Sequence, residues 1–372
     1  MLLIQKLTLI LELVGSCQRS TLEELSIIFA ILSQRVSLIE ELMLEANDIN
    51  ELPSDAFGSL SVRRLLLWNN GIERIDADSF RGLGEHLTEL HIREPRLRQL
   101  ASNALEELSA LTGLVIEYTP LNQLPGLSRC RALSSLHIDG SDLTALNPRA
   151  LHNLPLLKTV EITNSLVENL GDGSLSRLPR LESVNLTGNR LITIRTGWMI
   201  DLPHLKTVDL RTNLLNDIND VVDSLRGFHT LQEIHLDNNQ FQRIDAVLVF
   251  PALVTLSVSH NRVAGIGDGS FQRLAALRHL DLSFNGIRAW PASLFAGVPS
   301  LRDLNVAGNP IGSVMDMRRI IGQLPQLRSL NLDNCGFHSI RQDTIGVNHL
   351  PVNQSLSIRA RICSTGFSIS NR

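Results

Sequence analysis

The chain has 372 residues, a formal net charge of −4, 43% hydrophobic but only 4% aromatic side chains, and four cysteines. Four cysteines are too few for a disulfide scaffold, and no uninterrupted apolar run approaches the roughly 20 residues of a membrane helix. The slight negative charge lacks the basic footprint of a nucleic-acid binder, so nucleic acid is not an expected partner.

Residues 1–17, MLLIQKLTLILELVGSC, combine a lysine, a short apolar stretch and small residues near Ser16, as a signal peptide would. Glu12 interrupts that stretch. The preferred reading makes LTLILEL a cap strand and Cys17 the last cysteine of an N-terminal cap. Residues 20–34 read as a helix, with Ser20 and Glu23 in capping-box spacing and Leu22, Leu25, Phe29 and Leu32 on one face. Such a helix would cover the open apolar end of the segment that begins at Ile39.

From Ile39 to Leu327 the pattern LxxLxLxxNxI recurs thirteen times, at spacings of 22 to 26 residues and a mean of 24. Clear copies are LIEELMLEANDI (38–49), LESVNLTGNRL (181–191), LQEIHLDNNQF (231–241) and LRHLDLSFNGI (277–287). The alternation in LxL has period two, so each copy supplies a short strand with leucines inward and intervening residues toward solvent. A ladder residue closes each strand: Asn47, Asn70, Asn189, Asn213, Asn239, Asn261, Asn285 and Asn309. The amide offers both donors and acceptors to backbone groups that a bend leaves unpaired. Beyond the ladder, LPSDAFGSL, IDADSFRGL and IGDGSFQRL place Phe57, Phe80, Phe271 and Phe295 where they would stack as a spine. These features resemble the 24-residue leucine-rich repeat of animal extracellular proteins. The resemblance implies an α/β solenoid or horseshoe, with a parallel β-sheet on its concave face and short helical turns or loops on its convex face. The expected organisation is an N-terminal cap (1–38), thirteen repeats (39–350) and a degenerate C-terminal strand or tail (351–372).

Four consecutive ladder positions, Pro95, Thr119, Ser141 and Ser165, lack asparagine, and Pro95 offers no donor at all. Repeats between 87 and 180 are therefore expected to be less regular. Toward the C-terminus Cys335 occupies a ladder position, where a buried structural thiol is expected, and a bridge to Cys363 is open. Asn185 and Asn353 lie in glycosylation sequons, which chance alone would produce in this composition.

No metal-binding cysteine pair, HExxH motif or phosphate loop is present, and both GDGS segments fall where other repeats read PSDA or DADS. No catalytic set, cofactor, metal or small-molecule substrate is expected. The informative positions are the third, fifth and seventh of each repeat, which face outward on the concave sheet. They hold Glu41, Glu45, Glu89, Glu117, Asp139, Glu161, Asp209, Glu233, Asp237, Asp281, Asp303 and Asp333, opposed only by Arg64, Arg93 and Arg211. His91, His137, His235 and His279 share the face, with His260 beside them. A wall of one sign would concentrate a field for a basic partner, although solubility alone also explains it. The register sets Asp209 beside His235, and His279 beside Thr255 and Asp303.

Near the N-terminal end the face turns apolar, with Met43, Leu66 and Trp68, then Val115 and Tyr118 further on. Exposed apolar groups of this size call for a cover or a partner. The residues expected to bind a protein partner are Met43, Leu66, Trp68, Tyr118, Asp209, Arg211, Glu233, His235, Asp237 and Asp281.

The stretch ELPSDAFGSLSVRRLLLWNNGIERIDADSFRGL through LTELHI resembles arthropod extracellular repeat proteins, chaoptin-like and related to the non-catalytic subunit of a shrimp luciferase. That implies secretion, or surface tethering through a segment not in this chain. The expected function is a non-catalytic recognition or adhesion module. The rivals are an intracellular adaptor or enzyme regulator, and an accessory subunit of an enzyme complex.

Overall fold

A computed structural model of the chain turns the period-two alternation into stacked parallel strands. It describes residues 8–11, 21–311, 319, 321–337 and 357–359. The chain divides into two compact units, Met1–Arg190 with Gly197–Leu205, and Leu191–Thr196 with Lys206–Arg372.

The first unit carries β1 (Thr8–Leu11), β2 (Ile39–Glu45), β3 (Val62–Trp68), β4 (Glu89–Arg93), β5 (Gly113–Glu117), β6 (Ser135–Asp139), β7 (Thr159–Thr163) and β8 (Ser183–Asn185). Each pairs in parallel with the next, leucine against leucine: Leu42 with Leu65, Leu65 with Leu90, Leu90 with Leu114. Residues Thr8–Leu11 extend the sheet by one strand, with Ile10 in register with Met43. Short outer strands pair in step with the main ladder, for example Glu51–Leu52 with Arg74–Ile75. The second unit continues the pattern with β9 (Thr207–Asp209), β10 (Glu233–His235), β11 (Thr255–Ser257), β12 (His279–Asp281), β13 (Asp303–Asn305), β14 (Ser329–Asn331) and β15 (Ser357–Arg359).

Helix α1 (Leu22–Arg35) begins one residue later than its sequence signal. Thr21, not Ser20, is the N-cap, and its partner is Glu24, not Glu23: Glu24 N donates to Thr21 Oγ1 and Thr21 N to Glu24 Oε2. Leu25 and Phe29 are buried as expected. Phe29 also stacks on Phe57, 5.9 Å between centroids, and Phe57 on Phe80 at 6.0 Å, so the cap helix extends the aromatic spine. In the second unit Phe271 and Phe295 lie 6.5 Å apart, tilted by 44°. Helix α2 (Ile218–Ser224), capped by Asp217, lies beside the short outer strand Arg243–Ile244.

The ladder works through its amides. Asn285 Nδ2 donates to Val258 O of the preceding turn and Leu282 O of its own, while its Oδ1 accepts from Val263 N. Asn239, Asn261 and Asn309 repeat this scheme, which satisfies buried bend groups that would otherwise lack partners.

Between residues 87 and 180 the structure departs from expectation twice. Strands β4 to β7 are five residues each and pair along their length, so this stretch is not irregular. Thr119, Ser141 and Ser165 substitute hydroxyls for amides: Glu94 N donates to Thr119 Oγ1, and Ser141 N to Ser165 Oγ. The ladder group of the third repeat is not Pro95 but Glu94. Its Oε1 accepts from Asn70 N (3.0 Å) and Nδ2 (2.8 Å), and its Oε2 from Gly71 N (3.1 Å) and Ile72 N (3.2 Å). In most turns the residue before the ladder position takes positive φ, as at Ala46, Asn69, Tyr118 and Asn164. Proline disfavours helical conformations in its predecessor, so Glu94 does not take the positive φ of the other bends, and its longer side chain reaches the ladder position.

Cys335 is buried, with Sγ 3.3 Å from Val306 O, and burial pushes its thiol up to about 11. Cys130, beside Leu105 O at 3.2 Å, is in the same state. Cys17, Cys363 and Asn353 lie outside the described residues.

Candidate functional site

Inward leucines are uniform from turn to turn; the chemistry lies on the opposite, open face of each ladder. In the first unit this face holds a depression of about 270 Å³, lined among others by Arg64, Leu66, Glu89, His91, Val115 and Ser135. Of the expected apolar patch, Met43 pairs in register with Leu66, and Glu45 with Trp68. Met43 and Trp68 are half-buried and Leu66 is only 8% exposed, so the patch is smaller than three large side chains imply. The Trp68 ring meets His91 edge-on at 5.3 Å. Tyr118 is 54% exposed but sits at the bend with φ 46°, beyond the face positions. It carries the Arg93 guanidinium 5.0 Å from its ring centroid.

The face carboxylates are far less bare than their count implied. Arg64 bridges Glu41 (3.0 Å) and Glu89 (2.8 Å). His91, Glu117, His137 and Glu161 run as a chain across β4 to β7, with contacts of 3.4, 3.8 and 2.7 Å. The first of these is ionic proximity rather than an aligned hydrogen bond, because His91 Nε2 makes none. Asp139 Oδ1 accepts from Thr163 Oγ1 and Asn164 Nδ2.

Burial pushes the His91 pKa down, Glu117 offsetting only part of this. Charging of His91 on mild acidification is therefore opposed. Below about 6.5 the unfolded chain takes up a proton that folded His91 refuses, so His91 supports the fold above that pH and this contribution fades on acidification. His91→Phe is accordingly expected to flatten the fall in urea-unfolding stability between about pH 6.5 and 5. An unchanged slope would place the acid sensitivity elsewhere.

In the second unit the open face holds a polar trough of about 500 Å³, reached by Arg211, His235, Asp237, His279, Asp281 and Asp303. The register sets Asp209 opposite His235 and places His279 between Thr255 and Asp303, as read from the repeat. Only the second of these becomes a bond: His279 Nδ1 lies 2.7 Å from Asp303 Oδ2. Asp209 instead grips Arg211, with Nη2 at 2.6 Å and Nε at 2.9 Å, and this carboxylate holds the guanidinium pKa up. His235 turns to Glu233 on its own strand, at 3.4 Å.

Asp237, named as a partner residue, is a structural acceptor. It is buried and takes Ser259 N and Oγ, each at 2.7 Å, and the Ser257 hydroxyl. Asp281 accepts from Ser283 N and Asn305 Nδ2, both at 2.8 Å. Asp303 is the more exposed acid of this trough, and exposed Glu233 stands beside it on β10, against the trough-lining His235. Sequence reasoning missed two ring stacks at the bends, Arg93 on Tyr118 and His260 on Phe284 (4.3 Å, 14°). The only available signal was an aromatic residue just before a ladder position.

No group of three or more His, Cys, Asp or Glu side chains among the described residues is arranged to hold a metal ion. Among the same residues no helix is long and apolar enough to cross a membrane.

A leucine-rich-repeat family model matches residues 61–121, 131–191, 179–241 and 251–311. Chaoptin of Tribolium castaneum is 31% identical over 106 residues, which cover 28% of this chain and 13% of chaoptin. The chain spans far less than two thirds of the curated relatives heading the comparison. Among solved structures, the Drosophila Toll complex with Spatzle aligns at a TM-score of 0.66 and 22% identity, covering 80% of this chain and 41% of that one. TLR13 in complex with single-stranded RNA aligns at 0.69 and 19%, covering 87% and 50%. A chain of this fold thus occurs in complex with RNA, and the expectation that nucleic acid is excluded finds no support. Over more than half of its length the sequence matches the repeat model, and the chain belongs to the leucine-rich-repeat family.

Proposed function

We propose that the chain is an extracellular, non-catalytic recognition module that holds a protein partner on the open face of its ladder. The observation that carries this reading is the trough of the second unit, where side chains that vary from turn to turn converge on a scaffold whose inward positions are uniformly apolar. Such a division of labour suits a surface selected for contact rather than for folding. Glu233 and Asp303 favour a basic segment of the partner, since among the described residues each is paired only with a histidine, at 3.4 and 2.7 Å. The Toll complex with Spatzle and the similarity to chaoptin support a protein ligand and a cell-surface setting without identifying either for this chain.

The test takes a partner captured by the immobilised chain and measures its association rate in rising salt. Glu233→Lys with Asp303→Lys is expected to slow association several-fold, and salt to do the same, because screening shortens the field to about 10 Å at 0.1 M. Asp209 and Asp237 are unsuitable for reversal, as their loss would unseat Arg211 and Ser259. An association rate indifferent to both salt and the double reversal would return these acids to a role in solubility.

A further inference from the structure

Trp68, Arg93 and Tyr118 stand on three consecutive turns of the first unit. Trp68 and Arg93 are register partners on the open face, about 4.8 Å apart along the sheet, and Arg93 lies over the Tyr118 ring at 5.0 Å. We propose that these three side chains form one docking stripe for a protein segment presenting a carboxylate beside an apolar side chain. Arg93 takes the carboxylate, and Trp68 and Tyr118 take the apolar contact. This rests on the protein-recognition reading above and adds to it a place and a partner chemistry.

Charge is the first support. Arg64 holds Glu41 and Glu89, Arg211 holds Asp209 at 2.6 Å, and Arg359 holds Asp333 at 2.8 Å. Arg93 is exposed, and among the described residues no carboxylate lies within ion-pair reach of it. Glu117, at the corresponding position of the next turn, is occupied by His91 and His137. One guanidinium fork, braced by a ring, is thus left open on a face where the other arginines are matched, and such a fork fits a carboxylate bidentately.

Backbone conformation is the second support. A bulky residue with positive φ is unfavourable, and most other bends of the first unit use Ala46, Asn69, Gly140, Asn164 or Gly188 there, whereas the second unit also places Thr212, His260 and Phe284. Tyr118 takes φ 46° and remains 54% exposed. Gly140 of the next turn makes room for it, since a Cβ at that glycine would lie 3.2 Å from Tyr118 Cδ1. At the equivalent bends of the second unit His260 and Phe284 stack on each other, whereas the Tyr118 ring carries the Arg93 guanidinium. Trp, Arg and Tyr are the residue types that dominate interface energetics. Here Trp68 is steadied by His91 and Arg93 by Tyr118, so little freedom is lost on binding.

The experiment uses the full chain and a phage-displayed library of short random-sequence peptides, with selected peptides then synthesised and titrated by fluorescence anisotropy. Selected sequences are expected to carry Asp or Glu next to an apolar residue. Arg93→Ala is expected to weaken them at least about tenfold, Arg93→Glu more, and Trp68→Ala comparably. Replacing the peptide's own carboxylate by its amide should cost the same on the unaltered chain, a measurement that stays decisive if a chain variant misfolds, and almost nothing further on Arg93→Ala. Peptides that respond to Glu233→Lys with Asp303→Lys but not to Arg93→Ala would overturn the stripe and leave open-face recognition standing. A selection that yields only Lys- or Arg-rich peptides, or affinities unmoved by the amide exchange, would likewise overturn it. No open-face binder at all would count against both readings.

Discussion

Glu94→Ala is expected to destabilise the chain by about 3 kcal/mol or more in urea unfolding, an unusual penalty for truncating one polar side chain. Four N–H donors converge on its two oxygens, from Asn70, Gly71 and Ile72. Alanine would leave two buried backbone N–H groups, the half-buried one of Gly71 and one amide hydrogen unpaired, and each buried orphan costs about 1 to 3 kcal/mol. Glu94→Gln is the informative companion. It preserves length but turns an NH2 donor toward either Asn70 or the Gly71 and Ile72 N–H groups, so an intermediate loss of about 1 to 2 kcal/mol is expected. Burial pushes the Glu94 carboxyl above the usual range, against the pull of those donors. The folded chain therefore retains this proton in a window just above pH 4 where the unfolded chain has released it. That preference favours the fold below the window and is lost as pH rises through the folded value. Glu94→Ala should remove this term, leaving a flatter stability profile across the window. Stability within about 0.5 kcal/mol of the unaltered chain would show that water replaces the carboxylate without cost.

Leu282→Ala is expected to cost about 2 to 5 kcal/mol, as other truncations of fully buried leucines do. Leu282 is completely buried, one residue beyond β12, and its neighbour Asp281 faces the trough. From the repeat alone Asp281→Ala should cost little. The structure raises that figure to about 1 kcal/mol, because Asp281 holds Ser283 N and Asn305 Nδ2. The ordering survives: the leucine matters more than the acid beside it. Equal losses in denaturant unfolding would mean that the inward and outward registers had been exchanged.

The sequence by itself determined which residues point inward. Period-two alternation leaves no choice once leucines such as Leu42, Leu65 and Leu90 must share one face, and the repeat length then sets them side by side. It likewise determined the aromatic spine and most ladder amides, since each is a local feature copied at a fixed interval.

Only the tertiary structure decided what the outward side chains do. A carboxylate's partner comes from a strand twenty or more residues away, or from a guanidinium or backbone N–H two residues along, and both present the same polar letter to a reader of the pattern. Thus Asp209 and Asp237 looked like field-bearing charges and proved to be buried acceptors for Arg211 and Ser259. Pro95 occupied the ladder column, yet Glu94 does its work, because the backbone preference before proline changes the bend and the longer side chain reaches the ladder groups. Tyr118 lay one residue outside the face pattern, and its ring became visible as a platform for Arg93 only once two adjacent turns were stacked. Periodicity fixes the face of a side chain; the atoms it meets depend on which neighbouring turn lies within about 5 Å.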